Sequence, residues 1–184
     1  MKEPFLEPIA RKFRFEKALG CITKNSVVVD IGCGHTPHLL NRLANYIKQG
    51  VGVDQLIGDK IKGNIKLISC LMSKKIPIKS NFADHVTMLA VLEHLDNPKC
   101  ILAEAYRSLK IKGSIIITTP TPLSKPLLEL LAYKLKLVDD REVREHKEYY
   151  WKKDVISVLK TAGFKNIRHE YFEIFLNNFV VAQK

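Results

Sequence analysis

Asp30, Gly32, Gly34 and Asp54 are the residues whose types and spacing could do chemistry together. Asp30 sits near the end of an apolar run, Val27-Val28-Val29-Asp30-Ile31, and the turn Gly32-Cys33-Gly34-His35-Thr36-Pro37 follows. A strand, a glycine turn and a helix start bring backbone N–H groups to one place, where a dinucleotide would lay its pyrophosphate. An Asp two residues before the first glycine repels that pyrophosphate. It suits a ligand that carries an ammonium group and no phosphate, and S-adenosylmethionine is such a ligand. Gly32 and Gly34 let the backbone approach a ligand with no Cβ in the way. Asp54, twenty residues after Gly34, ends a second apolar run, and its two oxygens could accept both hydroxyls of a ribose. Dinucleotide proteins place an acid at a similar distance. Asp54 therefore speaks for a nucleoside without choosing between cofactors.

A second group of candidates lies downstream. Glu93-His94 offers one carboxylate and one imidazole, a thin set for a hard cation that prefers more oxygens, so no metal is expected. His94 has a side chain whose ordinary pKa suits proton removal near neutrality; a His fixed by hydrogen bonds in a strand-end loop is the plainer alternative. His146 lies in Arg144-Glu145-His146-Lys147-Glu148-Tyr149-Tyr150-Trp151, where it could orient an acceptor or stand as a solvated loop residue. The three aromatics carry the same ambiguity between acceptor contact and core. Leu89 and Ala90 are expected to line the cofactor from their position at a strand end, whereas Asp84 is expected to set a loop-to-strand turn.

The elements that must hold these residues alternate along the chain. Helical spacing covers residues 8–19, 36–47, 98–109 and 154–162, and apolar β-rich runs cover 26–31, 50–53, 65–69, 83–90, 114–119, 166–170 and 173–182. Strands alternating with helices argue for an α/β fold with a parallel sheet. Thr36 is expected to cap the second helix with Pro37 in its first turn. Residues 126–138 spread Leu127, Leu128, Leu130, Leu131, Leu135, Leu137 and Val138 around much of a helix. At that length the segment is too short to span a bilayer. It could be a lid or internal packing, a partner interface, or a membrane-surface contact.

Size and composition narrow the classes. A chain of 184 residues with 46% hydrophobic and 27% charged residues is read as one globular domain over 1–184 with an apolar helical insertion near 123–140. Four scattered cysteines without a CxxC pair point to neither a zinc frame nor disulfides. With no run resembling a signal peptide or membrane span, a cytoplasmic location is expected, with peripheral membrane contact left open. The formal charge of +11 fits either lysine-rich solvated faces or an anionic partner such as nucleic acid or a membrane surface. A homo-oligomer is also left open.

Six stretches, in order, carry a resemblance that covers nearly the whole chain. They are Val29-Asp30-Ile31-Gly32-Cys33-Gly34, Val51-Gly52-Val53-Asp54, Ile76-Pro77 through Asp84-His85-Val86, Val91-Leu92-Glu93-His94-Leu95, Leu109-Lys110-Ile111-Lys112-Gly113 and Ala162-Gly163-Phe164. The chain thereby resembles the class I S-adenosylmethionine-dependent methyltransferases, in particular their small single-domain members. The resemblance implies a Rossmann-like, mostly parallel seven-stranded sheet of order 3-2-1-4-5-7-6, last strand antiparallel, with helices on both faces. It implies S-adenosyl-L-methionine as cofactor and S-adenosyl-L-homocysteine as product. Thr36 stands where the family usually has a third glycine, and Cys70-Leu71-Met72 where many members place an acid near the adenine. The adenine would then rest on apolar packing and backbone groups. By analogy the acceptor is a small molecule, a glycan or a lipid-linked precursor. RNA or protein methylation, and a non-catalytic methyltransferase-like partner subunit, stand as alternatives.

Overall fold

The computed structural model describes residues 6–73, 75–134, 136, 137 and 143–184. Apolar runs with β-branched side chains form one sheet of eight strands in the order β3-β4-β2-β1-β5-β6-β8-β7. The strands are β1 (Val27–Ile31), β2 (Gln49–Asp54), β3 (Lys60–Lys62), β4 (Ile65–Ser69), β5 (Ala83–Leu89), β6 (Leu109–Pro120), β7 (Lys165–Phe172) and β8 (Asn177–Gln183). Strands β4, β2, β1, β5 and β6 run parallel, and β8 runs antiparallel to both neighbours.

The seven expected strands thus occur in the expected order, and β3 is added at one edge as the antiparallel arm of a hairpin with β4. All three of its residues are exposed. Two lysines on an outer strand discourage edge-to-edge pairing, and with no buried face the strand leaves no alternating pattern to read.

Alternation along each buried strand sends side chains to two cores. Val28, Ile116 and Phe179 pack with Leu39, Leu40 and Leu43 of α2 (His38–Leu43) and Ala18 of α1 (Glu7–Leu19). Val29, Ile31, Val86, Met88, Ile115 and Ile117 pack on the other face with Ile101 and Leu102 of α3 (Pro98–Ser108) and with Val155 and Leu159. The last two belong to the helix Lys152–Thr161. That helix is α5 here, because a shorter α4 (Ser124–Glu129) continues as a π turn over Leu130–Lys134.

Three expectations are corrected. Thr36 does not cap α2: the residue before the helix is Pro37, with no side-chain cap bond. The helix also ends at Leu43, although the Ile47 N–H still donates to the Leu43 carbonyl at 3.1 Å, which keeps Ile47 on the buried face. The strand expected over 114–119 starts earlier, at Leu109, and Lys112, at φ 66°, is a kink inside it. Close packing of α2 on the sheet comes from the strand instead of a third turn glycine. A Cβ on Gly52 would lie 2.8 Å from Cys33 Sγ and 3.2 Å from Leu40 Cδ1.

In the apolar segment, Leu123, Leu127, Leu130 and Tyr133 are exposed while Ala132 is buried. Leu135, Val138 and the rest of 138–142 lie outside the described residues. Among the described residues no helix is long and apolar enough to cross a membrane.

Asn178 fastens the carboxyl end of this sheet to the chain before α5. Its fully buried amide donates to the carbonyls of Thr119 (3.2 Å) and Tyr150 (2.8 Å), and its Oδ1 lies 2.8 Å from His169 Nε2. An Asn178→Leu substitution leaves those buried groups unpaired, so stability should fall by about 3 kcal/mol. Urea unfolding at fixed pH measures this.

Candidate functional site

Strand order reverses direction at β1, which has β2 on one side and β5 on the other. In an open α/β sheet the crevice beyond the carboxyl ends of such strands is where ligands bind. Asp30 lies at this end of β1, 5% exposed, and its Oδ1 accepts a 2.6 Å hydrogen bond from the Thr87 hydroxyl of β5. Burial pushes its carboxyl up to about 7, the Thr87 bond opposes that rise, and the nearby Asp54 charge adds to it. Among the described residues no lysine or arginine contributes to lowering it. Thr87 gave no sign in the sequence beyond being a hydroxyl inside an apolar strand.

Two glycines shape the turn for different reasons. Gly32, at φ 75°, would place a Cβ 2.3 Å from Val91 Cγ2, so the turn after β1 lies directly against the loop after β5. Gly34, at φ 69°, would meet nothing within 4 Å; it faces open space, as a cradle for a ligand requires. The Gly34 N–H donates to Asp54 Oδ2 at 2.8 Å and the Leu56 N–H to Oδ1 at 2.9 Å. Asp54 therefore ties the turn to the end of β2 through both oxygens. Each oxygen keeps a further lone pair for a hydroxyl.

Leu89 and Ala90 are half-buried at the end of β5. Ala90 takes φ 56°, a left-handed conformation that costs a residue with a Cβ about 1 kcal/mol. Its N–H is bound to the Thr118 carbonyl (3.0 Å) and hydroxyl (3.1 Å), which holds it there. Asp84 is at the opposite end of the strand, bound to the Val27 N–H (2.7 Å) and Lys110 (2.7 Å), a structural role.

The fold brings His94 and His146 together, with ring centroids 4.7 Å apart and planes at 69°. The means is backbone. The Glu93 carbonyl accepts the N–H groups of Lys147 (2.8 Å) and Glu148 (3.4 Å), which straps the segment after residue 142 across the ends of β5 and β6. Glu93 itself is 1% exposed, and its Oε2 accepts from the Thr119 hydroxyl at 3.0 Å. His146 Nδ1 lies 2.9 Å from the Tyr149 hydroxyl. Burial lowers both imidazoles; with His94 and Arg14 adding repulsion, His146 falls to about 4. Both rings are thus held neutral near pH 7. Of the aromatics, Tyr150 belongs to the core, Tyr149 serves His146, and Trp151 is exposed.

Asp30 makes a pH signature. Its native pKa of about 7 lies above the unfolded value of about 3.9, so between these the native state holds more protons than the unfolded. Its contribution is full below about pH 4 and is lost as pH rises to about 7, by roughly 4 kcal/mol. Urea midpoints at pH 5 and pH 8 should therefore differ more for the wild type than for Asp30→Asn.

With the geometry in place, comparison with known proteins adds the following. Residues 7–169 match the family model described as a methyltransferase domain. The uncharacterized protein MJ1123 of Methanocaldococcus jannaschii is 30% identical over 128 residues, covering 66% of this chain and 58% of that protein. The chain thus spans less than two thirds of the length of this relative. A SAM dependent methyltransferase from Archaeoglobus fulgidus superposes with a TM-score of 0.70 at 18% identity, over 97% of this chain and 94% of that one. The Haloferax volcanii protein solved in complex with the Trm112 methyltransferase activator gives 0.70 at 13%, over 100% and 99%. Phosphoethanolamine N-methyltransferase 2 of Haemonchus contortus, bound to phosphomonomethylethanolamine and S-adenosylhomocysteine, gives 0.70 at 15%, over 99% of this chain and 54% of that one. At these identities the solved structures speak for the fold.

Proposed function

The chain belongs to the methyltransferase-domain family, and on that premise we propose that it transfers a methyl group from S-adenosylmethionine to a small-molecule, glycan or lipid-linked acceptor. The observation that carries the cofactor assignment is Asp30, a buried carboxyl beside a second carboxylate, with its pKa near 7. A cation placed there turns a destabilising group into a paired one, and the methionine ammonium is such a cation. Asp54 and the open face of Gly34 suit the ribose, and Leu89 and Ala90 line the same end of the sheet.

The bound cofactor would supply a sulfonium methyl with a good leaving group. The protein's task is then to align the acceptor and exclude water, an orientation effect worth several kcal/mol. We place the acceptor's nucleophile at the His94–His146 pair. Neutral imidazoles can accept hydrogen bonds from it, which charged ones could not. The exposed apolar residues Leu123, Leu127 and Leu130 favour an acceptor with an apolar portion. RNA is the second reading, favoured by the open groove of Trp151, Lys152, Lys153, Lys160 and Tyr171, where aromatic and cationic groups interleave.

Calorimetry with S-adenosylmethionine, S-adenosylhomocysteine and NAD tests the cofactor. Binding of the sulfur nucleosides is expected, weakened at least tenfold, or about 1.4 kcal/mol, by Asp30→Asn and by Asp54→Asn. Preference for NAD would overturn the assignment, and unchanged affinity in both variants would show the site is elsewhere. The acceptor class follows from which fraction of a cell extract (small metabolites, lipids or RNA) gains label from methyl-labelled cofactor.

A further inference from the structure

We propose that Glu93, His94 and His146 form a binding site for one divalent transition-metal ion of the zinc type. One ligand atom from each of the three lies within 4.8 Å of the others, although His146 comes from a segment far along the chain. Read linearly, Glu93-His94 has too few donors for a cation; the strap from Glu93 to Lys147 and Glu148 delivers the third. Two imidazoles and one carboxylate with an open fourth position make the donor set of a reactive zinc site. Calcium and magnesium want more oxygens than this corner offers.

The surroundings are as informative as the donors. Metal-binding side chains are held by outer hydrogen bonds that fix their orientation, and all three have one. Thr119 donates to Glu93 at 3.0 Å. His94 has a hydrogen bond to the Glu145 backbone. The Tyr149 hydroxyl lies 2.9 Å from Nδ1 of His146, which leaves Nε2 for an ion. Tetrahedral donors about 2 Å from an ion sit about 3.3 Å apart, so the cluster closes by about 1.5 Å, within reach of side-chain rotation. The open position takes water or an oxygen of the acceptor, whose pKa the ion lowers. That use of the ion rests on the methyltransferase reading, whereas its binding does not.

The full chain, stripped with a chelator and without cofactor, is titrated with Zn²⁺ by calorimetry and with Co²⁺ by visible spectroscopy. One ion per chain is expected, and Co²⁺ should give the d–d bands of a four- or five-coordinate ion with no thiolate charge-transfer band. Glu93→Gln and His146→Ala should lower affinity at least 100-fold, and Tyr149→Phe about tenfold, within the range for lost outer contacts. Circular dichroism of each variant separates lost binding from lost folding. The Co²⁺ spectrum of the unaltered chain decides independently if a variant does not fold. Absence of stoichiometric binding, a thiolate band, or unchanged affinity in folded Glu93→Gln and His146→Ala overturns the site. Separately, a chain that binds Zn²⁺ but no sulfur nucleoside would keep the metal site and remove the methyltransferase reading.

Discussion

Contact between the turn after β1 and the loop after β5 is the constraint on which the carboxyl end of this sheet depends. It is close enough that a single added carbon on Gly32 would fall inside Val91. Because β1 and β5 are adjacent parallel strands, their exits leave the sheet side by side and must share one small space. Glycine at position 32 resolves the competition in favour of the β5 loop. The loop then continues from Val91 into Glu93 and His94, while a Cβ at Gly34 would meet nothing within 4 Å. The glycine turn after β1 and the loop after β5 are thereby set next to each other.

Electrostatics in this corner run against stability. The Asp54 charge adds to the cost of ionising Asp30, which is buried with the Thr87 hydroxyl as its hydrogen-bond partner. A core built for stability alone would hold an apolar side chain there, since an unpaired buried charge is expensive. Asp54, by contrast, is satisfied by two backbone N–H groups. The asymmetry separates the two acids: Asp54 organises the turn, while Asp30 is left buried beside a hydroxyl. The left-handed Ala90, held by Thr118, is a second local cost at the same place, of the kind that functional sites accumulate.

The His94–His146 corner is assembled by a strap rather than by strand ends. Glu93 accepts two backbone donors of the 147–148 segment, and Asn178 of β8 binds the Tyr150 carbonyl a little further on. These bonds pin a segment without regular structure across β5, β6 and β8. They bring His146 and Tyr149 over Glu93 and His94. Thr119 joins them because its hydroxyl reaches Glu93 from the end of β6.

The sequence by itself determined the strands, their order through the family resemblance, and the placement of Asp30, the glycine turn and Asp54 at strand ends. These are local properties: apolar period, chain-breaking residues and the spacing of a few charges, each readable within a short window. Edge strand β3 escaped because an exposed strand has no buried face to mark it. Thr36, expected to cap α2, does not, and only packing reveals that Gly52 gives α2 its room where the family's third turn glycine is missing. Tertiary structure alone decided that His94 meets His146, that Glu93 is buried between them and Thr119, and that Asp30 titrates near 7. Those outcomes depend on register between distant segments and on the summed burial of many neighbours, and neither quantity exists until the chain has closed on itself.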